Sequence, residues 1–371
     1  MGKGFEYTTL AYRHTARFPV LSYIVIQVYF WSIANILLAT IIYLHSLIIN
    51  QTYGIDYASS FGTMLVIAVI MGLVLGISLG FVGYYQERKY FRKQPLGRLI
   101  VFKTLISLAV LVFWVIILRY FLLDLIIVPL WSLRGLTLSE MSLRYIILMI
   151  IVYYFFMAMA INFINQVNKK YGPGVVVPLL LGRYRTPREE ERIFMFMDLK
   201  SSTSTAEKLG HLRYSSFIRD CFSDINEQLY SFRAQVYQYV GDEIVLTWPE
   251  REGLKQHFCI RFYFAVKKQF EDRADYYISN YGLVPEFKAG VHTGMVTAVE
   301  IGELKREIAY HGDTLNTAAR IQHVCNEYGR RFIASQYLID KIRLATDMKA
   351  YTLGMVHLKG KEERIGLVAL D

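Results

Sequence analysis

Residues 193–203 read Ile-Phe-Met-Phe-Met-Asp-Leu-Lys-Ser-Ser-Thr. An apolar run that ends in an acid is the pattern of a short buried strand with a polar residue at its C-terminal edge. Ser202 or Thr203 then caps a helix that continues through Tyr214 and Phe217 toward Leu229. Next, QVYQYVGDEIVLTW (235–248) reads as two strands joined at a Gly241-Asp242 tip. The pattern predicts a helix over 254–279, then a strand over 286–299 with a turn at Thr293-Gly294. A helix over 316–328, a strand over 331–334 and a hairpin over 351–370 complete the region. The β-α-β-β-α-β order predicts an α+β, ferredoxin-like domain with a layer of helices on one sheet face.

Two carboxylates stand at turn positions of neighbouring strands, Asp198 and Asp242. Paired acids at one sheet edge can share divalent cations, and oxygen-only ligands suit Mg²⁺ or Mn²⁺. Both residues also have ordinary uses, since Asp after a strand is a frequent cap and Gly-Asp a frequent turn. Lys200, Ser201, Ser202 and Thr203 form a polar turn into a helix, where exposed N–H groups suit a triphosphate. Asn316 and Arg320 are spaced to share a helix face. An amide to orient a sugar and a guanidinium to take phosphoryl charge suit phosphoryl transfer; a helix cap and a solvated salt bridge are the plainer alternatives.

The first half of the chain has a different character. Hydrophobic residues make up 54% of the whole and charged residues 19%, and the long apolar runs lie before residue 165. Four of them, over 19–48, 61–85, 99–128 and 145–164, reach the roughly 20 residues that a helix needs to cross a bilayer. The net charge is +10, and much of the basic charge flanks these runs, at Arg13, Arg17, Arg88, Lys89, Arg92, Lys93, Lys169 and Lys170. Such charge sets topology. With no zinc-finger spacing and no basic heptad helix, it is not read as a nucleic-acid surface.

The loop QERKYFRKQ (86–94) is strongly basic, whereas NQTYGIDYASS (50–60) carries no Lys or Arg. The positive-inside rule then predicts an integral protein of the cell inner or plasma membrane, with both termini in the cytoplasm. Lys103 and Arg119 are expected to snorkel from the third span, with Asp124 beside Arg119. The three cysteines, Cys221, Cys259 and Cys325, are widely spaced and read as reduced thiols. The organisation expected is a four-helix anchor over 1–165, a linker over 166–192 broken at Tyr171-Gly172-Pro173-Gly174, and a cytosolic domain over 193–371.

The motifs FMFMDLKSST, VYQYVGDEIVLTW, FKAGVHTGMV, HGDTLNTAARI and HLKGKEERI run in order through nearly all of that last domain. Together they resemble the catalytic domain of class III adenylyl and guanylyl cyclases. The resemblance implies a homodimeric catalytic domain with active sites at the interface and two metal ions, Mg²⁺ or Mn²⁺. It implies metal ligands at Asp198 and Asp242, a ribose-orienting Asn316 and a transition-state-stabilising Arg320. A lysine of Leu358-Lys359-Gly360-Lys361 would touch the terminal phosphates, with Lys361 favoured over Lys359.

The base-reading pair departs from the family pattern. Where adenylyl cyclases often carry Lys and then Asp or Thr, and guanylyl cyclases Glu and Cys, this chain has Gln238 and Ala309. Glutamine both donates and accepts, and the absent Glu favours ATP over GTP. A guanylyl cyclase, a silent nucleotide-binding domain and a membrane receptor or transporter with a cyclase output are the competing readings. Intact Asp198, Asp242, Asn316 and Arg320 argue against the silent domain.

The topology is testable by cysteine labelling in intact cells. Tyr53→Cys is expected to react with an impermeant reagent and Tyr90→Cys to be protected; labelling of both from outside would overturn the four-span reading.

Overall fold

The computed structural model describes residues 19–54, 60–89, 96–117, 140–171, 182–303, 306–342 and 348–371. They divide into two units, one up to residue 171 and one from residue 182. Arg119, Asp124, most of the basic loop after Lys89 and the Gly172-Pro173-Gly174 breaker lie outside the described residues.

The first unit is helical: α1 (Pro19–Tyr53), α2 (Phe61–Lys89), α3 (Leu96–Ile117) and α4 (Glu140–Tyr171). All four are long and apolar enough to cross a membrane. Gly72, Gly76 and Gly80 recur every four residues and so line one face of α2. A Cβ on them would lie 2.5 Å from Ser32 Cα, 2.7 Å from Val28 N and 2.7 Å from Ile24 Cα, so α2 packs backbone to backbone on α1. Polar contacts add to the packing. The Tyr154 hydroxyl donates to Asn35 Oδ1 at 2.6 Å, and Trp114 Nε1 donates to Ser78 Oγ at 3.0 Å. Lys103 does not snorkel as expected: it is buried within the unit, 5% exposed.

The second unit is one mixed sheet with helices. Its elements are β1 (Arg188–Leu199), α5 (Ser202–Leu229), β2 (Gln235–Val240), β3 (Glu243–Pro249), α6 (Glu250–Leu254), α7 (Phe258–Asp272), α8 (Ala274–Tyr281) and β4 (Phe287–Ile301). They continue as β5 (Glu307–His311), α9 (Asp313–Val324), β6 (Phe332–Ser335), α10 (Gln336–Ile342), β7 (Ala350–Val356) and β8 (Ile365–Leu370). The strand order is β2-β3-β1-β4-β6-β8-β7, with β5 folded back on β4. Its first four strands pair antiparallel, the ferredoxin-like order, and β6 joins β4 in parallel. The first strand starts at Arg188, within the stretch read as linker, so the chain is already paired before residue 193.

Strand alternation assigns the two faces. Ile193, Met195 and Met197 point with Ile244, Leu246 and Trp248 into the main core, against Phe217 and Ile225 of α5 and Phe262 and Val266 of α7. On the other face, Phe194, Val245 and Val296 cluster with Ala318 of α9. The expected helix layer therefore covers one face, and among the described residues α9 is the helix that lies on the other. It can do so because β4 has glycine there. A Cβ on Gly290 would sit 2.6 Å from Gln322 Cα and 2.8 Å from the Ala318 carbonyl oxygen, and one on Gly294 2.6 Å from Thr314 Oγ1.

Several local expectations are corrected. Thr293-Gly294 makes no turn; β4 runs through it, with Thr293 Oγ1 donating to buried Glu250 Oε2 at 2.7 Å. Neither Ser202 nor Thr203 caps α5. Ser201 holds that position in the left-handed region (φ 56°) with no side-chain cap, and α5 is kinked at Gly210 (φ 70°). The helix expected over 254–279 is broken by left-handed Gln256 and His257 and again at Arg273.

Gly290→Val is expected to destabilise this unit by about 1–3 kcal/mol, since overpacking must push α9 off the sheet. A lowered thermal midpoint of the purified protein checks this; an unchanged midpoint would mean that α9 yields without loss.

Candidate active site

The antiparallel register places Asp198 of β1 opposite Glu243 of β3. Gly241, at φ 60°, makes the tight connection from β2 and leaves Asp242 at the tip beside them. On its other side Asp198 is opposite Lys288 of β4. Lys288 Nζ lies 3.4 Å from Asp198 Oδ2, and Gln322 Nε2 of α9 donates to the same oxygen at 3.2 Å.

This edge is short of positive charge. Burial, and then the charge of Asp242, push the Asp198 carboxyl above its ordinary range, against the pull of Lys288 and Gln322. Burial and the charges of Asp198 and Asp242 push Glu243 up to about 7. Tyr214 of α5 is pushed up to about 12 by burial and the same two aspartates. Asp242 Oδ2 is buried with no hydrogen-bond partner. Repelling carboxylates with an orphaned oxygen are the setting that a hard divalent cation relieves, so the residues fit Mg²⁺ or Mn²⁺. Among the described residues no group of three or more His, Cys, Asp or Glu is placed to hold a metal. A cation here would draw the rest of its shell from water and substrate phosphates. The sequence reading missed Glu243. Its place opposite Asp198 is set by the register of β1 on β3, a pairing between strands far apart in the chain that no local motif announces.

The polar turn follows β1 directly. Ser201 bends left-handed and its carbonyl accepts from Thr205 N at 3.0 Å, so α5 begins beside Asp198. Ser202 is half-buried and hydrogen-bonds to Tyr214, while Thr203 is exposed. Lys200 pairs with Glu286 at 3.0 Å, both exposed, on the surface at the start of β4.

The cationic residues lie elsewhere. On α9, Gln322 faces Asp198. Residues two apart are about 200° apart around a helix axis, so Arg320, and Asn316 one turn earlier, face away from the aspartates of their own chain. Asn316 is exposed and Arg320 half-buried. A Cβ on Gly360 would sit 3.3 Å from Arg320 Nη2, which brings the Leu358–Lys361 turn against that face. Lys361 forms an ion pair with Asp313 at the start of α9, whereas Lys359 is exposed. His292 of β4, also missed in the sequence, shares a hydrogen bond with Ser335 Oγ at 2.7 Å. Burial, and then the charge of Lys361, push it down to about 4. The structure thus gathers two half-sites, an acidic one and a cationic one, on opposite sides of α9.

Gln238 is exposed on β2 and Ala309 is buried on β5. Their neighbours meet: the Tyr310 amide donates to the Tyr237 hydroxyl oxygen at 3.4 Å, and the two rings lie 5.2 Å apart.

Residues 185–368 match the family model described as the adenylate and guanylate cyclase catalytic domain. The chain is 36% identical over 210 residues to Adenylate cyclase 2 of Rhizobium meliloti (strain 1021), covering 57% of this chain and 58% of that protein. It is 24% identical over 189 residues to Adenylate cyclase 1 of the same organism, covering 49% of this chain and 28% of that protein. The chain therefore spans little more than half of the one and under a third of the other. The solved structure of the adenylyl cyclase CyaB from P. aeruginosa is similar with a TM-score of 0.43 and 14% identity, covering 50% of this chain and 96% of that one.

Asp242→Asn removes one of the repelling charges. Without metal the thermal midpoint is expected to stay level or rise, and the rise that Mn²⁺ brings to the unaltered protein is expected to vanish. A full Mn²⁺ response in the variant would assign the cation to other residues.

Proposed function

With a C-terminal unit, residues 185–368, that belongs to the adenylate and guanylate cyclase catalytic domain family, we infer that this protein is a membrane-anchored adenylyl cyclase converting ATP to cyclic AMP and pyrophosphate. The anchor reading rests on the four apolar helices and the basic flanks, which favour both termini in the cytoplasm.

The observation that carries the mechanism is the separation of the half-sites. Within one chain, Gln322 holds α9 toward Asp198 and thereby turns Asn316 and Arg320 away from it. A complete site therefore takes Asp198 and Asp242 from one protomer and Asn316, Arg320 and Lys361 from its partner, in a homodimer through the catalytic domain. Two-fold symmetry then generates two equivalent sites.

Asp198 and Asp242 would hold two divalent cations, Mg²⁺ or Mn²⁺, which would supply acidification of the ribose 3′-hydroxyl and neutralisation of the triphosphate. The chain's own groups do the rest. Asn316 orients the ribose so that its 3′-oxygen is in line with the α-phosphorus. Arg320 stabilises the charge that spreads over the phosphoryl oxygens as the bond to pyrophosphate breaks. Lys361 exchanges Asp313 for the terminal phosphates, and the amides of the 200–203 turn lie at an α5 N-terminus suited to the same anion. Gln238 and Ala309 face the purine. The absence of a glutamate at 238 favours adenine, and both relatives reported above are named adenylate cyclases.

Purified full-length protein with Mn²⁺ is expected to form cyclic AMP from ATP in preference to cyclic GMP from GTP, identified by chromatography. Asp198→Ala and Arg320→Ala should each be inactive. Co-expressed in equal amounts, they should recover about a quarter of the unaltered activity, because half the dimers carry one intact site. No recovery where heterodimers demonstrably form would place the whole site within one chain.

A further inference from the structure

Upstream of Asp198 on β1 lies a buried cation that the proposed mechanism does not use. Arg192 is 4% exposed. Its Nε donates to Thr247 Oγ1 of β3 at 3.1 Å, and its Nη2 donates to Gln235 Oε1 of β2 at 2.7 Å. Its Nη1 donates to Glu190 Oε2 at 3.0 Å, and its guanidinium lies over the ring of Tyr310 of β5, 4.7 Å from the centroid. One side chain thus ties together β1, β2, β3 and β5. Only a planar fork of fixed donors with a flat face for a ring can do this; a lysine ammonium offers neither.

The contacts converge on the base-facing pair. Gln235 lies on the same strand as Gln238, and Tyr310 directly follows Ala309. The Tyr310 ring also packs edge-on against Phe194 at 5.5 Å and Tyr237 at 5.2 Å. A shift of the Arg192 head therefore moves β2 and β5 relative to each other, and with them the two residues that would meet the purine. The rest of the surroundings holds the head in place. Glu190 accepts from the Tyr184 hydroxyl at 3.3 Å, and the Tyr184 carbonyl accepts from Glu300 N of β4 at 2.8 Å. Burying a charge is costly, and a buried ion with every contact satisfied is a recognised way to define one arrangement among several.

We propose that Arg192 is a positioning residue for base selection, holding β2 and β5 at the spacing at which Gln238 and Ala309 meet the purine. The proposal rests on the reading of those two positions as base-facing. It assigns Arg192 no contact with substrate.

The test uses the full-length protein with ATP and GTP in parallel, together with binding of a fluorescent ATP analogue. Arg192→Lys keeps the charge and loses the fork. It is expected to raise KM for ATP about tenfold and weaken analogue binding equally, with kcat within about twofold, the signature of lost positioning rather than lost chemistry. The ratio of kcat/KM for ATP over GTP is expected to change by about threefold or more. Gln235→Leu removes a single contact and is expected to move the same ratio in the same direction, by less. If Arg192→Lys does not fold, Gln235→Leu decides alone. Unchanged ratios in the folded variants, or equal losses of kcat for both triphosphates, overturn the positioning role and leave the proposed function standing. No cyclic product from the unaltered protein with either triphosphate would overturn the proposed function and this role with it.

Discussion

At Gly290 the sheet has no side chain, and the backbone of α9 takes the space. With Gly294 giving room to Thr314 two strand repeats further on, the helix lies close against β4. The placement of the residues on α9 follows from that seat. It brings Gln322 to Asp198, it turns Asn316 and Arg320 outward, and it sets the α9 N-terminus where Asp313 meets Lys361. A close-packed interior transmits such a placement because side chains have no spare volume in which to adjust.

The acidic half-site shows the opposite kind of design. Asp198, Asp242 and Glu243 stand together at one edge with Lys288 as a cation against Asp198, and burial makes the charges of Asp198 and Glu243 costlier. A fold selected for stability alone would not gather them. Under the proposed function they are held ready for a cation and a triphosphate, and strain of this kind is kept where binding relieves it. The buried Glu250, by contrast, is satisfied within the fold by Thr293 and Lys341, and serves packing.

In the helical unit the same device appears between two helices. Gly72, Gly76 and Gly80 allow α1 and α2 to touch along their backbones. Tyr153 and Tyr154 of α4 both reach α1, one to the Ala34 carbonyl at 2.5 Å and the other to Asn35. The α1–α4 contact is thus polar as well as apolar, with Trp31 stacked on Tyr154 at 6.0 Å.

The sequence by itself determined the elements whose signal is local. Four long runs of apolar residues read as long helices, the short apolar run of 193–198 reads as a buried strand, and 235–248 reads as two strands meeting at Gly241-Asp242. It also named the residues proposed to carry the chemistry, because Asp198, Asp242, Asn316 and Arg320 stand in motifs that are read linearly. The breaks in the long helix after residue 254 escaped it, since neither Gln256 nor His257 is a residue type that requires the left-handed backbone it adopts. The turn expected at Thr293-Gly294 failed for a related reason: glycine there serves the approach of α9 rather than a bend. What only the tertiary structure decided is which groups face one another. Register placed Glu243 with the aspartates, strand contacts drew Arg192 to four strands, and the seat at Gly290 parted the acidic from the cationic half-site. Each of these depends on residues far apart in the chain, and side-chain direction across a sheet or around a helix is settled only when those elements pack.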